Sequence, residues 1–186
     1  LSKHKYWNLN NLDKNNRKNY YNDDLNLSNI HELIKNSINI RMISDVPLGS
    51  MLSGGIDSSL VTSVMQSLSN KPIKTFSIGF NNKNFNEAKY AREIANCLKT
   101  DHTELYLGDN DVKNNIEKIL NVHDEPFSDS SQIPTYLISE LTKNSVTVAL
   151  TGDGGDEIFA GYNRYLWAEK INKFNKNVPL ILRKLL

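Results

Sequence analysis

An α/β fold, with a doubly wound, mostly parallel sheet carrying helices on both faces, is what this sequence predicts, on three observations. Short β-rich stretches alternate with apolar-periodic stretches of roughly ten to fifteen residues, the pattern of parallel strands joined by right-handed helical crossovers. Two apolar stretches run straight into glycine-rich turns: Ser53-Gly54-Gly55-Ile56-Asp57-Ser58-Ser59 follows Leu52, and Thr151-Gly152-Asp153-Gly154-Gly155-Asp156-Glu157 follows Leu150. Both turns fall where such sheets collect ligands, at the carboxyl ends of strands.

Residues 1–27 are rich in Asn, Asp, Lys and Tyr without regular apolar spacing, and read as a linker or surface arm anchored only at Tyr6-Trp7. From Ser28 or Asn29, either a fitting N-cap, Ile30, Leu33, Ile34, Ile38 and Met42 recur at helical spacing, and that helix ends before Pro47. Val46 to Leu52 is the first strand. The helix after the first glycine turn carries Leu60, Val61, Val64 and Leu68 on its inner side, and Ile73 to Phe80 is the second strand. Asn86 caps a helix with Ala88, Ala91, Ile94, Ala95 and Leu98 inward; His102 to Leu107 alternates as a third strand. Asp109 or Asp111 caps the next helix, which turns Val112, Ile116, Ile119 and Leu120 to the core. A helix following Pro134 leads to a buried fourth strand, Val146 to Leu150. The last helix leaves the second glycine turn through Ile158 and Phe159, and Asn163, Arg164 and Tyr165 continue it.

With 186 residues the chain is one domain, or one domain with a tail, and can bury a real core. Lys plus Arg number 22 against 21 acidic residues, so no basic excess points to nucleic acid and no acidic excess to disorder. No apolar run approaches the length that crosses a bilayer. The single cysteine, Cys97, excludes an internal disulfide and fits a reducing, cytoplasmic setting; inside a helical pattern it reads as a packing residue rather than a catalytic thiol. The chain opens on Leu1 and closes on Leu185-Leu186, which reads as a piece of a longer protein.

The first turn has the chemistry of a phosphate cradle. A strand feeding a helix through glycines leaves backbone N–H groups free at the helix start, and the helix dipole favours an anion there. Gly54 and Gly55 let a phosphate approach the backbone, while Ser53, Ser58 and Ser59 offer hydroxyls. A carboxylate beside a polyphosphate is repelled unless a divalent cation lies between them, so Asp57 reads as a Mg²⁺ ligand. The turn is not a Walker loop, because it lacks the Gly-Lys-Ser/Thr ending. Ser-Gly-Gly-X-Asp is also ordinary turn composition; the strand before it and the helix after it favour the cradle. In the second turn three carboxylates occupy five residues, Asp153 to Glu157. Crowded near a phosphate they require a metal, an ammonium group or a proton, and the competing reading is a plain acidic helix start favoured by the dipole.

The order of motifs resembles the synthetase domain of glutamine-dependent asparagine synthases, of the PP-loop ATP pyrophosphatase superfamily. The resemblance runs from Tyr6-Trp7 through Ser44-Asp45-Val46-Pro47-Leu48-Gly49, the Ser53–Ser59 turn, Phe76-Ser77-Ile78-Gly79-Phe80 and Asp124-Glu125-Pro126-Phe127 to Thr151–Glu157 and Gly161-Tyr162. It implies a Rossmann-like PP-loop fold over 28–186, truncated at its C-terminal side, with 1–27 as the arm that follows an absent glutaminase domain. It also implies that ATP and Mg²⁺ take part. The loop matching Ser53, Gly54, Gly55, Asp57, Ser58 and Ser59 holds the β,γ-pyrophosphate, with Asp57 on the metal. Leu52, Ile78, Thr151 and Gly152 match positions lining the nucleoside site. Asp153 matches a catalytic carboxylate that is glutamate in many members and is one methylene shorter here. Asp156 matches a carboxylate near the metal and the amino-acid substrate.

The reaction so implied is amidation of aspartate to asparagine through a β-aspartyl-AMP intermediate, releasing AMP and pyrophosphate. Ammonia would come from the glutaminase domain. β-Lactam synthetases, lasso-peptide cyclases and sugar-acid amidotransferases share the motifs and differ in the carboxylate, and a non-catalytic nucleotide-binding module is the reading of another kind. The resemblance admits a homodimer. The family's downstream lysine segment lies beyond Leu186, so the fragment alone is expected to be weakly active at best. Among weaker candidates, His102 reads as a hydrogen-bonded or surface histidine, Asp124 and Glu125 as a loop cap or substrate neighbours, Asp129-Ser130-Ser131 as a helix cap bordering the pocket, and Arg164 as solvated.

Overall fold

A computed structural model describes residues 2–6, 23–81, 86–125, 128, 129 and 131–177. Trp7, Pro126, Phe127, Ser130 and most of the 1–27 arm lie outside the described residues. Helix α1 (Asp23–Arg41) precedes strand β1 (Leu48–Met51), and α2 (Ile56–Leu68), β2 (Lys74–Phe80), α3 (Ala88–Leu98) and β3 (Asp101–Leu107) follow. The chain continues through α4 (Asp109–Val122), α5 (Gln132–Lys143), β4 (Val148–Leu150), α6 (Gly155–Phe159) and α7 (Asn163–Asn177).

The four strands form one parallel sheet in the order β3-β2-β1-β4. From β1 the chain steps outward to β2 and β3, so right-handed crossovers put α2 and α3 on one face. It then returns across the sheet to β4, which puts α4 and α5 on the other; accordingly α3 and α5 both pack on β2. The direction of winding reverses between β1 and β4, which are paired with Ser50 opposite Leu150. That reversal opens a crevice at the strands' carboxyl ends. On the α2 face, Val64, Met65 and Ile73 pack with Ile38 of α1.

Element boundaries differ from expectation for identifiable reasons. Helix α1 begins at Asp23 rather than Ser28, taking in residues of the expected arm. Strand β1 starts at Leu48: Ser44 Oγ donates to Val46 O (3.0 Å) and accepts from Val46 N (3.3 Å), closing a turn, and Pro47 has no N–H for a ladder. Val146 is buried but lies in the turn after α5, its N–H donating back to Thr142 O at 2.9 Å, so β4 is only three residues long. Helix α5 starts two residues before Pro134, which sits in the first turn where a missing N–H costs nothing. Asp111 acts from the third helical position of α4, accepting from Gly108 N at 2.8 Å. Asn163 to Tyr165 do not continue the helix through Phe159. Ala160 takes a left-handed conformation (φ +58°) and Gly161 N donates to Asp156 O (3.0 Å), which ends α6 before α7 begins.

Behind the first glycine turn a chain of buried hydroxyls ties three elements together. Thr62 of α2 donates to Ser58 O at 2.8 Å and shares a hydrogen bond with Ser50 Oγ at 2.9 Å; Ser50 Oγ reaches Leu150 O at 3.4 Å. Among the described residues no buried side-chain N or O is left unpaired. Thr62→Val keeps the shape and removes the hydroxyl, leaving Ser50 poorly partnered. We expect a loss of about 1–2 kcal/mol of stability in denaturant titration. A change within the scatter of the wild type would show that the hydroxyl chain contributes nothing.

Candidate active site

The turn after β1 is held open by backbone conformation and braced by serine hydroxyls. Gly54 has φ +86°, a conformation that side chains disfavour, and a Cβ there would sit 2.8 Å from both Ala91 N and Tyr90 Cβ of α3. Gly55 ends the turn as N-cap of α2 with no side-chain cap on the helix, so the first N–H groups are left to a ligand or to water. Ser53 and Ser58 brace each other, Oγ to Oγ at 2.9 Å, and the Ser53 hydroxyl accepts from Gly55 N at 3.2 Å. Ser59 turns back, donating to Gly55 O.

The turn after β4 packs directly onto the first. A Cβ on Gly152 would lie 2.6 Å from Ser58 N, and one on Gly155 would overlap the Asp57 carboxyl group. Neither position accepts a side chain while Asp57 stays in place. Asp153 accepts from Thr151 Oγ1 at 2.9 Å. Glu157 accepts from Tyr162 OH at 2.7 Å, a bond that holds the carboxyl below, and the phenol above, its ordinary value. Arg164 lies over the Tyr162 ring, 4.4 Å from its centre. Two of the crowded carboxylates, Asp153 and Glu157, are thus drawn onto separate partners, and among the described residues no group of three acidic, His or Cys side chains could hold a metal unaided.

The two turns, the end of β2 and the first turns of α5 enclose a cavity of about 960 Å³. Ser53, Gly55, Asp57, Ser58, Ile78, Thr151, Gly152, Asp153 and Asp156 line it. Leu52 borders it too, with its side chain fully buried against Ala91 and Ala95. Gly54 and Ser59 stand behind the turn and do not reach the cavity. Pro134, Thr135 and Ile138 form the facing wall. No Lys, Arg or His is among the described lining residues, although Glu87, Asp57, Asp153, Asp156 and Glu157 are. A phosphate could enter such a cavity only with a cation that offsets those carboxylates.

The family model described as asparagine synthase matches residues 29–185. The chain belongs to the asparagine synthase family. A Methanocaldococcus jannaschii protein that carries the provisional name asparagine synthetase (glutamine-hydrolysing) 2 is 42% identical over 153 residues, 82% of this chain and 29% of that protein. Asparagine synthetase (glutamine-hydrolysing) 1 of Bacillus subtilis is 38% identical over 164 residues, 88% of this chain and 26% of the relative. The chain thus spans less than a third of the length of either. Among solved structures, an NH3-dependent NAD synthetase from Campylobacter jejuni superposes with a TM-score of 0.50 at 15% identity, over 73% of this chain and 60% of its own, a likeness of fold.

Within this asparagine synthase domain, sequence reasoning passed over Glu87, Phe80, Phe159 and, as a site residue, Tyr162. Tyr162 stands in the Gly161-Tyr162 motif, which could have marked it; Glu87 sits just before α3 in a segment whose letters carry no signal. His102 is the hydrogen-bonded histidine expected, away from the cavity and bonded to Thr75 and Ser77. Asp129 accepts from Ser131 N at 2.8 Å, a bond that closes the turn before α5 and lowers the Asp129 pKa, while Ser131 itself is the N-cap and no side chain caps the helix.

Proposed function

We propose that this chain is the adenylating part of a ligase that converts aspartate to asparagine. The observation that carries the reading is the contact of two glycine turns around Asp57 at the sheet's switch point, in a chain of this family. In this reading ATP lies with its β- and γ-phosphates on the Ser53–Ser59 turn, and Leu52, Ile78, Thr151 and Gly152 border the nucleoside. Asp57 and Asp156, both lining the cavity, are the carboxylates that would hold a Mg²⁺ ion, which these two alone would not fully coordinate. When bound, it would neutralise charge on the departing pyrophosphate.

The side-chain carboxylate of aspartate attacks the α-phosphorus, and the bond to the pyrophosphate breaks. Ammonia then adds to the acyl carbon of β-aspartyl-AMP, and AMP leaves with the former carboxylate oxygen. Free carboxylate is a poor acyl donor because its leaving group would be oxide. The chain's task is to hold the reacting atoms in line with N–H groups and hydroxyls arranged in advance. Asp153, tied to Thr151 at the cavity's edge, would handle the ammonia proton, and Asp156 would also meet the amino-acid substrate.

The test is product analysis of the full-length gene product given ATP, ammonia and a panel of carboxylic acids. We expect AMP and pyrophosphate in equal amounts with aspartate, and loss of nucleotide binding on chelation of divalent cations. ADP as product would overturn adenylation, and a preference for another acid would reassign the acceptor. Nucleotide binding without AMP formation would favour a non-catalytic module.

A further inference from the structure

The first glycine turn rests on α3 at two points, Gly54 against Tyr90 and Ala91, and Leu52 against Ala91 and Ala95. What holds α3 in register on the sheet is therefore a question about the cradle. The helix's fully buried residues are the small Ala88, Ala91 and Ala95, with the half-buried Ile94 packed beside Leu52, Ala91 and Ala95, a face of mostly small side chains that does little to oppose sliding along the sheet. The lock is polar. Arg92 grips Glu104 of β3 with both arms, Nε donating to Oε1 at 2.7 Å and Nη2 to Oε2, and Nη2 also donates to Tyr106 OH at 2.7 Å. Tyr106 OH in turn donates to Glu104 Oε2 at 2.9 Å.

Neighbours fix the clamp on the strand side. The Tyr106 ring lies across Gly79, where a Cβ would come within 2.6 Å of it and 3.0 Å of Ala88. His102 Nε2 lies 3.5 Å from Glu104 Oε1, and its ring bonds Thr75 (2.8 Å) and Ser77 (3.2 Å). Burial lowers the His102 pKa against the pull of Glu104, while the Arg92 hydrogen bond holds the Glu104 carboxyl below its ordinary range. The Glu104 side chain is 13% exposed and that of Arg92 52%, so the anchor is on the strand and the arm comes from the helix.

We infer that the Arg92–Glu104–Tyr106 clamp positions the pyrophosphate turn, by fixing the helix on which Gly54 and Leu52 rest. These are positioning residues, since none of the three is among those lining the cavity. The inference rests on assigning the Ser53–Ser59 turn to the β- and γ-phosphates. It follows that loosening the clamp weakens ligands that carry a pyrophosphate and spares those that do not. An ion pair whose Arg92 arm is half-exposed to solvent contributes modestly to global stability, so the two effects can be read separately.

The experiment measures dissociation constants of the full-length protein for Mg-pyrophosphate, Mg-ATP and AMP, in the wild type, Glu104→Gln and the milder Tyr106→Phe. Glu104→Gln is expected to weaken Mg-pyrophosphate and Mg-ATP about fivefold with AMP unchanged, and Tyr106→Phe to do so less. Ile119→Ala, which opens a cavity under α4 on the opposite face, lowers the melting temperature and is expected to leave the ATP-to-AMP ratio at the wild-type value. An unchanged ratio in both clamp variants, or an equal shift in Ile119→Ala, overturns the inference while the nucleotide site stands. A wild type that binds AMP but neither pyrophosphate ligand overturns the phosphate assignment and the inference with it.

Discussion

Replacing Asp57 with alanine is expected to lower AMP formation by about 10³-fold while leaving the melting temperature near that of the wild type. Asp57 stands in the first turn of α2, and both Gly152 and Gly155 come close to its side chain, so its carboxyl group sits at the seam between the two turns. Its neighbours across the seam are glycines rather than a described lysine or arginine. In a cavity whose described lining has no basic residue, a carboxylate so placed acts on phosphates only through a cation. On the proposed reading, removing it would take away an attachment point for that cation and with it charge neutralisation at the pyrophosphate. The residue is half-buried and, among the described residues, pairs with no charged group that alanine would leave stranded, so the fold loses little. AMP formed per minute by the full-length protein and a thermal melt of the same sample are the two readings. Activity within about tenfold of the wild type would remove Asp57 from the chemistry. Collapse of the melt would make it a structural residue instead.

Much of this arrangement was legible in the sequence, and the reasons are local. Strand-turn-helix punctuation at Leu52–Ser59 and at Leu150–Glu157 is written in glycines and apolar runs, which report backbone conformation directly. The alternation of elements sufficed for a parallel, doubly wound sheet, because crossover handedness leaves few other topologies. Boundaries were less legible: Val146 is buried like a strand residue, yet its N–H donates back to Thr142 of α5 rather than into the sheet. The break at Ala160 was hidden because alanine rarely adopts φ +58° and gives no warning when it does. Least legible was the dispersal of the carboxylates of the second turn. Whether Asp153, Asp156 and Glu157 converge depends on Thr151 and Tyr162, whose hydroxyls claim two of them. Glu87 is in the cavity because α3 begins there, a matter of tertiary placement rather than of motif.

Gly155→Ala and Gly154→Ala separate the two reasons a glycine can be needed, and the pair carries the second large expectation. Gly154 has φ +91° and open space where a Cβ would go, so alanine there costs backbone strain of about 1–2 kcal/mol and touches nothing. Gly155 has no left-handed backbone, but its Cβ would overlap the Asp57 carboxyl group, with Oδ2 at 2.5 Å and Asp57 Cβ at 2.9 Å. One of the two turns must yield, and a displacement on the order of 1 Å at a positioning group costs about 10²-fold in rate. Gly155→Ala is therefore expected to lose about 10²-fold in AMP formation with a modest change in melting temperature, and Gly154→Ala to lose stability with most of its activity retained. Parallel measurement of both quantities in both variants decides the matter. Equal activity in the two would mean that the contact between the turns does not set the position of Asp57. Because the contact joins residues about a hundred positions apart, its failure would leave each turn standing alone as an ordinary strand-to-helix connection.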